Sequence, residues 1–420
     1  HLLNELVLNS PLTLFSALYR EREDQDPSRL YGSCPWPDVQ ATLGLPRRSP
    51  AGHGSGTPRP RHIVVFIMES LGARFVGTLG GQNLTPELDR LSRNGWFWTG
   101  LYATGTRSIR GMEAILCGFP PMPGQGVIRR NLAQHDFFTL AAHLAQRGYR
   151  TRFCTGGDSS FDGMKGFFLG NGFQEIYDQS SWKDLEPRGG WGIHDDPLFQ
   201  AVHRLLLADN TPTFTVIFST SNHSPFDFPK QDLPQPSQPL ASVENAIRYS
   251  DKALGHFFTE ALKAPYGQDS LFLIVADHDT RVFGNEWIPL DRFHIPALFL
   301  GQGVPTANLP RRTSQIDLAP TLLALAGCQG PHPMPGRNML DPGQAALPER
   351  AMMLYGDQYG YWEDSTLVIL KPHLAPKLFQ VDTQPWMPCA TQHSPLALKA
   401  LAHLLWPWEM YHRRLYHPPV

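Results

Sequence analysis

HIVVFIMES occupies residues 62–70, and its two halves carry different signals. Ile63 to Met68 form a run without polar interruption, rich in β-branched and aromatic types. Such a run, with no helical period, reads as a strand buried on both faces, which is the habit of parallel sheets. Glu69 and Ser70 then break it with two polar groups. In open α/β sheets, sites form just beyond the carboxyl ends of the strands. The stretch therefore states both a layer of the fold and a place to look for chemistry.

The chain on either side supports that reading. Upstream, LPRRSPAGHGSGTPRPRH (45–62) is rich in Pro, Gly and Arg and poor in apolar residues, the composition of a linker. Residues 1 to about 30 read as one or two short amphipathic helices ending in the charged run YREREDQD. Downstream, helical and strand patterns alternate. TPELDRLSRNG is helical, with Thr85 placed as N-cap before Pro86. FFTLAAHLAQRG, DPLFQAVHRLLLA, SVENAIRYSDKALGHFFTEAL and IDLAPTLLALAG read as helices, and YRTRFCT, TFTVIFS, SLFLIVA and IPALFLG as strands. This alternation predicts an α/β fold with a mostly parallel central sheet and helices on both faces. From about residue 348, RAMMLYG, TLVILK and KLFQVD predict a small antiparallel extension, and SPLALKALAHLLWPWEMYHRRLY an amphipathic tail helix. The expected division is a helical linker segment at 1–61, a catalytic domain at 62–347, and strands plus a helix at 348–420 packed on that same domain.

Composition narrows the class without naming a function. With 420 residues, 41% hydrophobic and 18% charged, the chain can bury a full globular core. A formal net charge of −2 argues against a nucleic-acid partner. No apolar run is long enough to cross a bilayer, and no signal-peptide pattern is present. The opening HLLNELVLNSPLTLFSAL is expected to lead from a membrane segment outside this sequence. The five cysteines, Cys34, Cys117, Cys154, Cys328 and Cys389, form no CxxC, which argues against a zinc ribbon. They permit one or two disulfides or buried free thiols alike.

Reactive residue types gather where the strands end. Glu69 and Ser70 follow the first strand; Gly156, Gly157 and Asp158 follow YRTRFCT; Thr220 to His223 follow TFTVIFS; and Asp277, His278 and Asp279 follow SLFLIVA. Glu69, Asp277 and His278 offer two carboxylates and an imidazole, a donor set suited to a divalent ion. A fourth donor can come from GTRSIRGMEA (105–114), where Thr106 and Ser108 stand at the start of a helical stretch. Thr106, after Gly105, is placed to be the N-cap, which leaves Ser108 inside the first turn, where free amides and the helix dipole favour an oxyanion. Arg107 and Arg110 beside it are either phosphate contacts or solvated helix residues.

These motifs together, HIVVFIMES, NLTPELDRLSRNGWFWTGLYATG, GTRSIRGMEAILCGFPP, TSNHSPF, ADHD and SQIDLAPTLLALAG, resemble the sulfatase-like branch of the alkaline phosphatase superfamily over about residues 62–340. Within it, the chain is most like the extracytoplasmic catalytic domains of lipoteichoic acid synthase-type phosphoglycerol transferases. The resemblance implies one divalent metal, Mn²⁺ or Mg²⁺ ahead of Zn²⁺, held by Glu69, Ser108, Asp277 and His278. It also implies catalysis by Ser108 as nucleophile and His223 at the transferred phosphate group. The implied partners are a phospholipid donor such as phosphatidylglycerol and a polysaccharide or lipid acceptor, handled by a membrane-tethered protein on the periplasmic or outer face. Asp158, Phe161 and Asp162 in GGDSSFDGMKGFF, Trp191 and His194 in GGWGIHDD, and Arg110 are the candidates for substrate contact. Two departures stand out: Ser108 where relatives usually carry threonine, and Asp279, expected to add negative charge near the metal. Phosphoethanolamine transfer, phosphodiester hydrolysis or a catalytically silent binding module are the alternatives. Sulfate-ester chemistry is disfavoured, because a Cys/Ser-x-Pro-x-Arg stretch is absent.

Overall fold

The computed structural model describes residues 26–43, 59–233, 236–280, 282, 287–382, 385–389 and 394–418. The helices expected in the first 25 residues, and most of the 45–62 linker, lie outside them. Two short helices, α1 (Pro27–Tyr31) and α2 (Trp36–Leu43), precede the main sheet.

The main sheet contains β1 (His62–Met68), β2 (Trp96–Tyr102), β3 (Arg150–Thr155), β4 (Glu175–Tyr177), β7 (Thr213–Phe218), β8 (Ser270–Ala276), β9 (His294–Gly301), β10 (Ala307–Leu309) and β11 (Thr313–Ser314). The strands β5 (Arg188–Gly189) and β6 (Gly192–Ile193) pair apart from it as a small hairpin. The sheet order is β10-β2-β9-β8-β1-β7-β3-β4, with β11 also on β2. Every residue of β1 is buried, as its unbroken apolar run predicts. It lies between parallel partners, with Ile67 opposite Phe218 on one side and Met68 opposite Ala276 on the other. Registers of this kind make Glu69, Ser219 and Asp277 emerge together at one edge.

Among the described residues of this sheet, β9 alone runs antiparallel to its neighbours. The pattern IPALFLG marks a strand but not its direction. The aromatic run WFWTGLY is absent from the strands expected on sequence, yet it forms β2, with Trp96 and Trp98 packed on each other and on Phe299 of β9. Aromatic residues suit a pleated, buried surface, so the signal was available.

The remaining helices are α3 (Pro86–Ser92), α4 (Ser108–Cys117), α5 (Leu140–Ala145), α6 (Met164–Gly170), α7 (Asp195–Ala208), α8 (Val243–Ala261), α9 (Leu318–Leu325), α10 (Pro342–Ala345) and α11 (Pro395–His412). One capping expectation holds in position and one is corrected. Thr85 is the N-cap of α3, but its side chain makes no cap bond; Asp251 of α8 reaches across and accepts from the Glu87 and Leu88 amides at 2.8 and 2.9 Å. Thr106 is not the N-cap of α4: that position is Arg107, in extended backbone, without a side-chain cap bond.

The C-terminal strands β12 (Arg350–Tyr355), β13 (Gln358–Glu363), β14 (Thr366–Leu370), β15 (Lys377–Gln380) and β16 (Met387–Pro388) form a separate antiparallel sheet. The tail helix α11 is not amphipathic in its setting. Leu404, Leu405, Trp406, Pro407, Trp408 and Met410 are all buried, because α11 packs on β13 and β14 as well as on α1 and α2. Beyond it, Tyr416 donates its hydroxyl to the Cys117 carbonyl at 2.6 Å, tying the tail to α4. All five cysteines are unpaired. No helix among the described residues is long and apolar enough to cross a membrane.

Candidate active site

Three strand ends and one helix start converge. Glu69, Asp277 and His278 are buried, and one ligand atom from each lies within 4.8 Å of the others. The Ser108 hydroxyl, at the first residue of α4, lies 3.0 Å from Glu69 Oε2 and 3.3 Å from His278 Nε2. Gly111 permits this approach: a Cβ there would stand 2.5 Å from the Asp277 carbonyl oxygen. The helix could not lie so close with any larger residue.

Each member is held from behind. The Glu69 amide donates to Ser219 Oγ at 2.8 Å, and the Ser70 hydroxyl donates to Glu69 Oε1 at 2.6 Å. Asp277 Oδ1 accepts from the Ser70 and His278 amides, both at 2.8 Å. The Gln315 side chain donates to the carbonyls of Ala276 and Asp277. His278 Nδ1 lies 2.5 Å from the Asp279 carbonyl, so Nδ1 carries the proton and Nε2 presents its lone pair to the cluster.

The front of the cluster is different. Asp277 Oδ2 is buried without a hydrogen bond, although His278 Nε2 is only 3.3 Å away. With the ring neutral, as metal binding requires, the two atoms face each other as acceptors. Burial and the neighbouring Glu69 carboxylate raise the pKa of Asp277. Burial opposes charge on His278, but Asp277 and Glu69 outweigh it and raise its pKa. Two carboxylates, an imidazole and a hydroxyl oxygen thus meet in a buried space with too little positive charge. A divalent cation is what such a donor set fits.

The Asp279 carboxylate does not join this front. It is fully buried and turned toward Arg74, at 2.9 Å, and Arg292, at 3.3 Å. Its charge is answered mainly there, although it still adds to the pull that raises the pKa of His278.

The loop after β7 sits on the same edge. Asn222 Nδ2 donates to the Glu69 carbonyl at 3.1 Å. Asp195, which is not among the residues expected on sequence, pins this loop: Oδ1 accepts from the Thr220 and Ser221 amides at 2.8 and 3.2 Å, and Oδ2 from Ser250 at 2.6 Å. The sequence signal was the acidic end of GGWGIHDD. His223 is half-buried, with Nδ1 2.8 Å from the Ser224 carbonyl and its ring 4.0 Å from that of Trp191. The Trp191 indole donates to the Ser224 carbonyl at 2.6 Å, and exposed Phe161 stands edge-on to Trp191 at 5.6 Å. Phe161, Trp191 and His223 therefore line one aromatic rim.

The other candidates are placed otherwise. Asp158 is exposed and caps its own turn through the Ser160 amide. Asp162 is paired with Arg129. His194 is buried edge-on against Tyr249, and burial lowers its pKa, as for a core histidine. Arg110 is also corrected: it is buried and engaged with Glu113 at 3.3 Å and the Gly124 carbonyl at 2.5 Å, the contacts of a structural residue.

A mostly parallel α/β sheet carrying this acceptor cluster at its carboxyl edge has the architecture of the alkaline phosphatase superfamily. The chain belongs to the sulfatase family, whose sequence pattern matches residues 61–328, more than half of its length. A protein of the alkaline phosphatase superfamily from Vibrio parahaemolyticus superposes with a TM-score of 0.87 at 36% identity, over 93% of this chain and 100% of that one. The lipoteichoic acid synthase LtaP of Listeria monocytogenes shares the fold, with a TM-score of 0.75 at 18% identity over 91% and 99% of the two chains. Phosphoglycerol transferase I of Xanthomonas campestris pv. campestris is 27% identical over 292 residues, which is 63% of this chain and 40% of that protein. The chain thus spans less than half the length of that curated relative.

Proposed function

We propose that the chain is the catalytic part of a metal-dependent transferase. It would move a phosphoglycerol headgroup from phosphatidylglycerol to an envelope glycan or lipid acceptor through a phospho-serine intermediate. The observation that carries this reading is the convergence of Ser108 Oγ, Glu69, Asp277 Oδ2 and His278 Nε2 at the start of α4. Similarity to a protein named phosphoglycerol transferase I supports the choice of headgroup. The same proposal includes an extracytoplasmic site of action and a membrane tether.

Glu69, Ser108, Asp277 and His278 are the residues that would hold the divalent ion, with Mn²⁺ or Mg²⁺ ahead of Zn²⁺ because oxygen donors predominate. When bound, the ion supplies positive charge that eases ionisation of the serine hydroxyl and gathers negative charge on the phosphoryl oxygens. Ser108 Oγ attacks phosphorus, and its proton moves along the existing hydrogen bond to Glu69 Oε2. The uncapped amides of the first turn of α4 face the same developing charge. As the phosphorus–oxygen bond to diacylglycerol breaks, His223 protonates the leaving oxygen from Nε2, its Nδ1 being occupied by the Ser224 carbonyl. An acceptor hydroxyl then attacks the phospho-serine and gives its proton to His223, while Glu69 Oε2 returns its proton to Ser108 Oγ as the serine oxygen–phosphorus bond breaks. The rim of Phe161 and Trp191 would shield the small polyol headgroup from water.

The test is to incubate the metal-loaded protein with fluorescent phosphatidylglycerol or phosphatidylethanolamine in micelles and follow diacylglycerol. Release from phosphatidylglycerol with headgroup mass on Ser108 is expected. Release from phosphatidylethanolamine instead would assign phosphoethanolamine transfer, and free glycerol phosphate without an adduct would assign hydrolysis. No diacylglycerol from either lipid would sink the reading. His223→Gln should lower turnover by about a hundredfold with normal metal content, and near-native turnover would remove His223 from this role.

A further inference from the structure

Asp279 follows the cluster directly, yet its carboxylate serves a second purpose. It is fully buried, and two guanidiniums lie on it. Arg74 Nε is 2.9 Å from Oδ2 and 3.3 Å from Oδ1, and Arg292 Nη1 is 3.3 Å from Oδ2. Arg74 also donates from Nη2 to the Thr280 hydroxyl. Close packing fixes the group: a Cβ on Gly72 would stand 2.1 Å from Asp279 Oδ1, so only glycine lets the chain after Glu69 lie against it. Meanwhile the two arginine side chains are 33% and 35% exposed, so their outer faces reach solvent.

The location matters as much as the pairing. Asp279 and His278 are consecutive, with Cα atoms ~3.8 Å apart, and the Asp279 carbonyl holds the His278 ring. Gly72 and Arg74 come three and five positions after Glu69 on the other side. The arginine pair therefore borders the metal-fitting cluster. A purely structural bridge needs one cation for one carboxylate. Here two guanidiniums share one, and each keeps donors beyond those that Asp279 and Thr280 accept. Asp291, the other acid paired with Arg292 among the described residues, is 3.9 Å away and 80% exposed, too solvated to neutralise it. A divalent ion would balance Glu69 and Asp277, and the arginines outweigh Asp279 by one charge. Among these groups alone the balance is then positive, opposite in sign to a phosphodiester.

We propose that Arg74 and Arg292 form a phosphate clamp at the active-site edge, and that Asp279 is its positioning residue. The buried carboxylate orients both guanidiniums so that their outward N–H groups meet anionic phosphate oxygens in the fork geometry that arginine favours. The ligand class is a phosphate group, whether inorganic phosphate or the glycerol phosphate of a headgroup. The clamp deepens the proposed transferase reading, but its test does not depend on turnover.

Isothermal titration of the metal-loaded protein with inorganic phosphate and with glycerol 3-phosphate reads the clamp directly. Arg292→Gln should weaken both ligands by roughly tenfold, with melting temperature and metal content unchanged. Arg292→Lys, which keeps the charge and loses the fork, should recover only part of the affinity. Asp279→Asn separates positioning from bulk electrostatics. Removing a negative charge should tighten anion binding if charge alone matters, whereas a positioning role requires weaker binding. Unchanged phosphate affinity in Arg292→Gln, tighter binding in a folded Asp279→Asn, or a loss confined to glycerol 3-phosphate would each overturn the proposal. If wild-type protein binds phosphate through the clamp but releases no diacylglycerol, the transferase reading fails and the clamp stands.

Discussion

Both ends of the main sheet bury charge, and they do so in opposite ways. At the amino end, Arg152 and Asp209 pair at 2.7 Å with almost no exposure, and Arg150 and Glu175 join them. Two cations meet two anions. Arg152 Nε, Glu175 Oε2 and Asp209 Oδ2 lack hydrogen bonds, but here the charges in reach are of opposite sign, with Arg152 Nε and Glu175 Oε2 3.9 Å apart and Asp209 paired with Arg152. At the carboxyl end, the unbonded Asp277 Oδ2 faces other acceptors. Burial of charge is therefore not what marks the site. What marks it is burial without compensation, since an unpaired buried charge is too costly to keep unless something supplies the missing counter-charge.

The comparison predicts opposite responses to mutation. The largest effect on turnover should come from Ser108→Ala, which removes the attacking oxygen and should lower headgroup release by at least about a thousandfold. Ser108→Thr keeps the oxygen and should retain much of the rate. Steady-state diacylglycerol release checks both, and substantial activity in Ser108→Ala would break the assignment of this edge as reactive. Next comes Asp277→Asn, which keeps an acceptor for the Ser70 and His278 amides while removing the charge. Metal content by elemental analysis should fall to background. The metal-free variant should melt no lower than metal-free wild type, because one of two mutually repelling carboxylates is gone. A lower melting point at full metal content would place Asp277 with the structural pairs.

Asp209→Ala tests the other end. It leaves Arg152 buried without its partner, so unfolding free energy should drop by about 3–5 kcal/mol, read from denaturant midpoints. Turnover per folded molecule and metal content should not change. Altered metal content would join the two ends and defeat the contrast.

The contrast also explains how much could be read from the sequence. Parallel strands deliver their next residues to one edge, so Glu69, Asp277 and His278 could be grouped as the polar residues that end apolar runs. The strand β1 and the mostly parallel sheet were legible for the same reason. Long-range pairings were not. Asp279 meets Arg74 from 205 positions away, and Asp251 caps α3 from 164 and 163 positions away. Nothing local announces either contact. The direction of β9 depends on tertiary pairing rather than on IPALFLG itself. By contrast, Arg110 and Glu113 are an i,i+3 pair on one helix, a spacing that sequence alone could have weighed against a phosphate contact.

The smallest effect is expected at Thr106, where two kinds of helix start can be compared. In α5, Thr139 accepts from the Ala142 amide at 3.0 Å, and in α8 Ser242 accepts from Asn245 at 3.4 Å. In α4 no side chain caps the first turn: Arg107 occupies the N-cap, and its carbonyl takes the Arg110 amide at 2.9 Å. The amides ahead of it are left toward Ser108, as an anion-receiving turn requires. Thr139→Ala should therefore cost on the order of 1 kcal/mol, whereas Thr106→Ala should stay within about 0.5 kcal/mol and near-native turnover. Parallel denaturant titrations of the two variants decide it. Equal losses would mean that Thr106 caps α4 after all, and that the first-turn amides are not kept for a phosphate.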